Sequence, residues 1–163
     1  MSGSVVVLHD LQETSAFARL LAKFALPGDV ICLSGDLGAG KTALTQEIAK
    51  GLGVPESCYV ASPTFSILQE YPGNIPLYHM DFYRLADETE VEDLGFEEYF
   101  YMSGLTVIEW SEIAGALIPA SRLLLKMTIQ EDLSRKVEID FGNGTWQERL
   151  QEFCSDPTFA KNS

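Results

Sequence analysis

Basic side chains are scarce in this sequence: 11 Lys and Arg stand against 24 Asp and Glu, leaving a formal net charge of −13. That sign makes a poor grip for nucleic acid, whose affinity for protein comes largely from cations on phosphates. Any RNA in the biology of this chain is therefore expected to be held by other subunits. Cysteine is sparse too. Cys32, Cys58 and Cys154 have neither paired nor metal-type spacing, and two histidines add too little to build a structural zinc site. Cys32 lies in the apolar run Val30-Ile31-Cys32-Leu33 and reads as a small buried side chain. Such usage suits a reducing cytoplasm. No apolar run approaches the roughly 20 residues that span a bilayer. Residues 1–10 lack a basic segment followed by a long apolar one, so no export signal is expected. Repeats, low-complexity tracts and long linkers are missing as well, which predicts one domain over 1–155 and a disordered tail over 156–163.

What is present alternates between strand and helix patterns. Residues 4–8 are β-branched and apolar, a strand. Asp10 precedes Glu13 by three, a capping-box spacing, and opens a helix whose Phe17, Leu20, Leu21 and Phe24 share one face. Pro27-Gly28-Asp29 turns the chain into residues 30–34, apolar without alternation, as in a strand buried on both faces of a parallel sheet. A glycine-rich loop follows, then a helix over about 41–52, stopped by Gly51 and Gly53. Residues 65–71 and 75–81 read as two strands joined at Pro72-Gly73-Asn74, and 105–109 as another buried strand. A second hairpin spans 122–129 and 136–141 and turns near Asp132 to Ser134, and 145–153 reads as a short terminal helix. The sum is an α/β fold of the three-layer, P-loop NTPase-like kind, with a mixed, mainly parallel central sheet and two hairpins. Between Asp87 and Glu98 seven carboxylates occur without a basic residue. They form either a solvated helical face or a docking surface for a basic partner.

The chemistry is concentrated in the loop. Gly35-Asp36-Leu37-Gly38-Ala39-Gly40-Lys41-Thr42 matches G-x-x-x-x-G-K-[ST] at every constrained position, between a buried strand and a helix. Glycines let the main chain adopt positive φ and press its N–H groups against phosphate oxygens. The following helix adds its unpaired N–H groups and positive dipole end. Lys41 is placed to reach β- and γ-phosphates and the Thr42 hydroxyl to ligate Mg²⁺, so the pattern predicts a bound nucleoside triphosphate, ATP with magnesium. The order of the glycines does not fit a dinucleotide-binding G-x-G-x-x-G. Mg²⁺ needs a second anchor, usually a carboxylate ending a neighbouring strand. Both Glu109 and Asp81 end apolar strands and qualify. Ser62-Pro63-Thr64 follows the loop helix as a switch segment would, with a hydroxyl for the γ-phosphate; taken alone it is a stiff turn.

These segments together resemble a known family. The run from Leu33 to Thr42, then Ser62-Pro63-Thr64-Phe65, His79-Met80-Asp81-Phe82-Tyr83-Arg84 and Ile108-Glu109-Trp110, is similar to TsaE (formerly YjeE), the bacterial ATPase of tRNA threonylcarbamoyladenosine (t6A) synthesis. The resemblance covers roughly residues 14–135. It implies that TsaC makes threonylcarbamoyl-adenylate, that TsaD transfers the group to the adenosine following the anticodon, and that this chain hydrolyses ATP on a TsaB–TsaD complex to support turnover. It also implies that Thr42 and Glu109 hold Mg²⁺, that Asp81 is essential for hydrolysis, and that Trp110 is important beside Glu109. Thr14 and Arg135 are implied nucleotide contacts.

Three functions compete for this sequence: an ATPase acting on a partner complex, a small-molecule kinase, and a nucleotide-gated binding module with little hydrolysis. The chain leaves little room for a kinase lid and has no arginine cluster to clamp a transferred phosphoryl group. An Asn-Lys-x-Asp motif for guanine is missing. No arginine finger is evident, although Arg84, just beyond Asp81, is either one or a structural ion-pair partner.

Overall fold

The computed structural model describes residues 3–63 and 65–151. Asp10 opens the first helix, as its spacing predicts: its Oδ1 accepts from the Glu13 N–H at 2.8 Å. The reciprocal half of the box is displaced by one residue, because the Glu13 carboxylate takes the N–H of His9 at 2.7 Å. In chain order the elements are β1 (Gly3–Leu8), α1 (Leu11–Phe24), β2 (Val30–Ser34), α2 (Lys41–Gly51), β3 (Leu68–Tyr71), β4 (Leu77–Asp81) and α3 (Glu88–Asp93). They continue with a 3₁₀ segment Phe96–Tyr101, β5 (Leu105–Glu109), a second 3₁₀ segment Ser111–Leu117, β6 (Leu123–Ile129), β7 (Arg135–Asp140) and α4 (Trp146–Arg149).

The strands form one seven-stranded sheet in the order β1-β7-β6-β2-β5-β4-β3. β6, β2, β5 and β4 run parallel. β1, antiparallel to β7 as β6 is, shares their direction, so only β3 and β7 run against the rest. Both expected hairpins are present, and the sheet is mixed and mainly parallel. Alternate residues of β2 serve opposite layers. Ile31 and Leu33 join the core beneath α1 and α2, while Val30 and Cys32 join the core beneath α3 and the 3₁₀ segments. Two covered faces explain why that run shows no polar alternation. Burial pushes the Cys32 thiol up to about 12, which keeps it protonated and inert. Cys154 and residues 156–163 lie outside the described residues. Among the described residues no helix is long and apolar enough to cross a membrane.

Several boundaries differ from the sequence expectation, each for a local reason. The strand expected from 65 begins at Leu68, because Ile67 takes positive φ (68°) and donates its N–H to Pro63 O, closing a turn first. The partner strand starts at Leu77, β6 loses one residue to the turn at Arg122, and β7 is shifted by one, running from Arg135 to Asp140 before the turn at Gly142. Gly51 does not stop α2: it is the last helical residue, and a Cβ there would lie 2.6 Å from the Ala22 Cβ of α1. It is a close-packing residue, and Gly53, at φ 78°, supplies the reversal. The acidic stretch is largely exposed, as both of its readings require, with Val91 the buried residue of α3 and Asp87 its N-cap.

α4 is short, so side chains fix it in place. Trp146 is fully buried, and the Arg149 guanidinium lies 4.1 Å from its ring centroid. Arg149 also donates to Phe24 O and pairs with Asp29, both contacts at 2.6 Å from Nη1. Removing one partner of a mostly buried ion pair strands the other charge. Arg149→Ala should therefore lower unfolding stability by about 3 kcal/mol in denaturant titration. A loss under ~1 kcal/mol would mean that packing alone holds the helix.

Candidate functional site

The loop leaves β2 at Ser34 and enters α2 at Lys41, so it sits at the C-terminal edge of the sheet. Its three glycines all have positive φ: 145° at Gly35, 81° at Gly38 and 103° at Gly40. Gly40 is the N-cap of α2 and offers no side-chain cap, which leaves the helix's first N–H groups to another acceptor. At Gly35 space as well as conformation excludes a side chain, since a Cβ would lie 2.4 Å from Met127 O of β6. Asp36, Leu37 and Ala39 complete the loop, with Leu37 exposed and Ala39 buried.

Lys41 is itself buried. Its Nζ donates to Gly35 O at 2.6 Å and Asp36 O at 2.9 Å, and lies 4.7 Å from the Trp110 ring centroid. Trp110 follows β5 in the left-handed region (φ 59°, ψ 41°), which swings its indole over the loop and against Tyr83, with ring centroids 5.0 Å apart. Arg135, at the start of β7, donates from Nε to Ala39 O at 3.1 Å and so ties the second hairpin to the loop.

The two carboxylates meet because β4 and β5 are parallel and in register: Asp81 and Glu109 are direct partners. Glu109 is almost fully buried, and Thr42 donates its hydroxyl to Oε1 at 3.1 Å. Asp81 accepts from the Ser62 hydroxyl at Oδ2 and from the Tyr83 N–H at Oδ1, 2.9 Å away. Like charges directly opposite each other on adjacent strands are mutually unfavourable. A hydroxyl and two carboxylates beside a helix N-terminus are also the oxygen donors a hard divalent cation takes, with phosphate oxygens and water completing its shell. These residues fit Mg²⁺ with a polyphosphate. Among the described residues no group of three or more His, Cys, Asp and Glu converges as a self-sufficient metal site. Lys41, Thr42, Ser62, Asp81, Tyr83, Glu109 and Trp110 line one cleft of about 390 Å³ with the loop.

Other expected residues fare differently. Thr14 donates its hydroxyl to Asp10 O within the first turn of α1. Thr64 lies outside the described residues. Arg84 places its guanidinium 5.1 Å from the exposed ring of Phe65. Sequence reasoning did not select Ser62 as a partner of Asp81, nor Tyr83 and His79 as site residues. His79 was open to detection: it precedes Asp81 by two in a strand, which places both on one face.

The loop's conformational demands are separable. Gly38→Ala meets nothing within 4 Å and should cost only the left-handed backbone penalty of about 1–2 kcal/mol. Gly35→Ala adds a clash with the β6 main chain and should cost clearly more in thermal or denaturant unfolding. Equal losses would show that the loop relaxes freely.

Comparison with known proteins bears on the same segments. The family described as "Threonylcarbamoyl adenosine biosynthesis protein TsaE" matches residues 8–137. A Bacillus subtilis protein named tRNA threonylcarbamoyladenosine biosynthesis protein TsaE is 47% identical over 127 residues, 77% of this chain and 78% of its own length. A protein of the same name from Treponema pallidum is 35% identical over 82% of this chain and 97% of its own. The crystal structure of YdiB from Bacillus subtilis superposes with a TM-score of 0.80 at 34% identity, covering 94% of this chain and 95% of that one. With the loop, the paired strand-end carboxylates and the surrounding sheet all inside the matched region, the chain belongs to the TsaE family.

Proposed function

We propose that this chain binds ATP with Mg²⁺ in the cleft beside loop 35–42, hydrolyses it, and by that cycle serves t6A modification of tRNA next to the anticodon, acting on a TsaB–TsaD complex in the cytoplasm. The observation that carries the nucleotide reading is the junction of loop and helix. Three positive-φ glycines lead into the N-terminus of α2, where Lys41 and the Thr42–Glu109 pair stand together. Loop amides and the helix dipole suit a polyphosphate. Lys41, which donates to two loop carbonyls, would exchange these for β- and γ-phosphate oxygens. Thr42 and Glu109 would hold Mg²⁺, which when bound neutralises charge on the phosphate oxygens. Asp81, oriented by Ser62 and the Tyr83 N–H, would hold the attacking water and receive its proton. Trp110 would keep Lys41 in place and shield the cleft from bulk water. Arg135, Thr14 and Thr64 are the proposed further nucleotide contacts.

Family membership and the names of the relatives support the role in t6A synthesis. The net charge of −13 supports leaving tRNA to the partner subunits. Arg84 stacks on Phe65, so hydrolysis by this chain alone would proceed without Arg84 as an arginine finger, a contribution of about 10³–10⁵ in rate where one is supplied.

Three measurements test this reading. Lys41→Ala should reduce ATP affinity or turnover at least ~10-fold, as expected for charge-assisted contacts of about 1.5–3 kcal/mol. Unchanged binding and hydrolysis would remove the loop from the mechanism. Glu109→Gln should weaken Mg²⁺-dependent binding, whereas Asp81→Asn should leave binding largely intact and lower kcat. Identical Mg²⁺ titrations for wild type and Glu109→Gln would exclude Glu109 as a metal ligand. Phosphate release should be slow for the chain alone and clearly faster with a TsaB–TsaD complex; no change on adding the complex would contradict the accessory role.

A further inference from the structure

His79 is the buried polar side chain at this site with no role in the reading above. Its ring is fully buried in β4, and Nε2 lies 2.6 Å from Glu109 Oε2. The other ring nitrogen, Nδ1, is buried with no hydrogen-bond partner among the described residues. An unpartnered buried nitrogen costs free energy that an apolar side chain would avoid, and Val107 occupies the position directly opposite in β5. Packing alone therefore gives no reason for a histidine here, and the contact made by Nε2 does. An ionised carboxylate only accepts, so that contact requires the ring proton on Nε2.

We propose that His79 is a positioning residue for Glu109. The inference rests on the nucleotide reading of the cleft. Glu109 is gripped at both oxygens: His79 of β4 holds Oε2, and Thr42 of α2 sits 3.1 Å from Oε1 and 3.4 Å from Oε2. With Oε2 engaged inside the sheet, rotation of the carboxylate is blocked, and Oε1 stays beside the Thr42 hydroxyl at the metal position. Being fully buried, His79 touches neither nucleotide nor partner and acts only through Glu109. Outer hydrogen-bond partners of metal ligands commonly contribute about 10–100-fold in metal affinity.

The test is Mg²⁺-dependent binding of a fluorescent, non-hydrolysable ATP analogue to wild type, His79→Leu and His79→Gln. His79→Leu should need about 10–100-fold more Mg²⁺ for half-maximal binding, while affinity for the analogue without Mg²⁺ stays unchanged. His79→Gln can place an amide N–H near the Nε2 position and should recover most of the loss, an outcome that a merely space-filling ring would not produce. Nitrogen NMR of the wild-type imidazole supplies a readout independent of any variant's folding. The chain has only His9 and His79, and the His79 proton should be found on Nε2. A proton on Nδ1 with Nε2 bare, a wild-type Mg²⁺ requirement in His79→Leu, or equal losses in both variants would each overturn the inference alone. A wild-type chain with no Mg²⁺-dependent binding of the analogue would overturn the cleft reading and this inference with it.

Discussion

Parallel pairing of β2 with β5, and of β5 with β4, positions nearly all the polar chemistry of this chain. Parallel strands end on the same edge of a sheet, and the crevice beyond those ends is where open α/β folds bind ligands. Leu33 is paired with Glu109, and Glu109 with Asp81, so the loop that leaves β2 emerges beside both carboxylates. Reversing β4 alone would carry Asp81 roughly 13 Å away, at about 3.3 Å per residue. The antiparallel strands stay at the margins. β7 lies outside β6, where its first residue, Arg135, braces the loop from behind, and β3 closes the opposite edge beside β4.

The same edge concentrates negative charge in a chain that already carries an excess of it. Glu109 and Asp81 are almost entirely buried, and burial is tolerable only where donors replace the lost water. The donors come from four segments: α2 (Thr42), the loop after it (Ser62), β4 (His79) and the turn beyond β4 (Tyr83 N–H). Convergence of so many segments on two side chains makes the site depend on the whole sheet and not on the loop alone. The exposed carboxylates of α3 are different in kind. They are solvated, and Asp87, Glu88 and Glu90 are further engaged with nearby backbone N–H groups.

Features set by local backbone chemistry were legible in the sequence. The loop glycines, the Asp10 cap, the buried run 30–34, both hairpins and β5 needed only near neighbours in the chain to be recognised. The two carboxylates were also legible as strand ends, because an acid closing an apolar run is a local pattern. What escaped depends on contacts between distant segments. Gly51 looks like a helix stop by residue type, and only the approach of α1 shows that it is a packing residue. The edge position of β1 beside β7 follows from a pairing that joins the two ends of the sequence. Strand β3 starts late because Ile67 adopts a conformation that its residue type gives no reason to expect. The pairing of Ser62 with Asp81, and of His79 with Glu109, exists only once the loop after α2 and the strand β5 lie alongside β4.

The placement of the two tryptophans has an optical consequence. Trp146, the first residue of α4, is fully buried, whereas Trp110 stands half-buried at the cleft with a lysine ammonium against its ring. The chain thus carries two indole fluorophores in unlike surroundings. The indole of Trp146 follows the integrity of the core, and that of Trp110 follows the electric field at the mouth of the cleft. A polyphosphate drawing Lys41 off the Trp110 ring would alter emission from one indole and leave the other as an internal reference, so filling of the cleft and loosening of the core can be followed in one unlabelled sample.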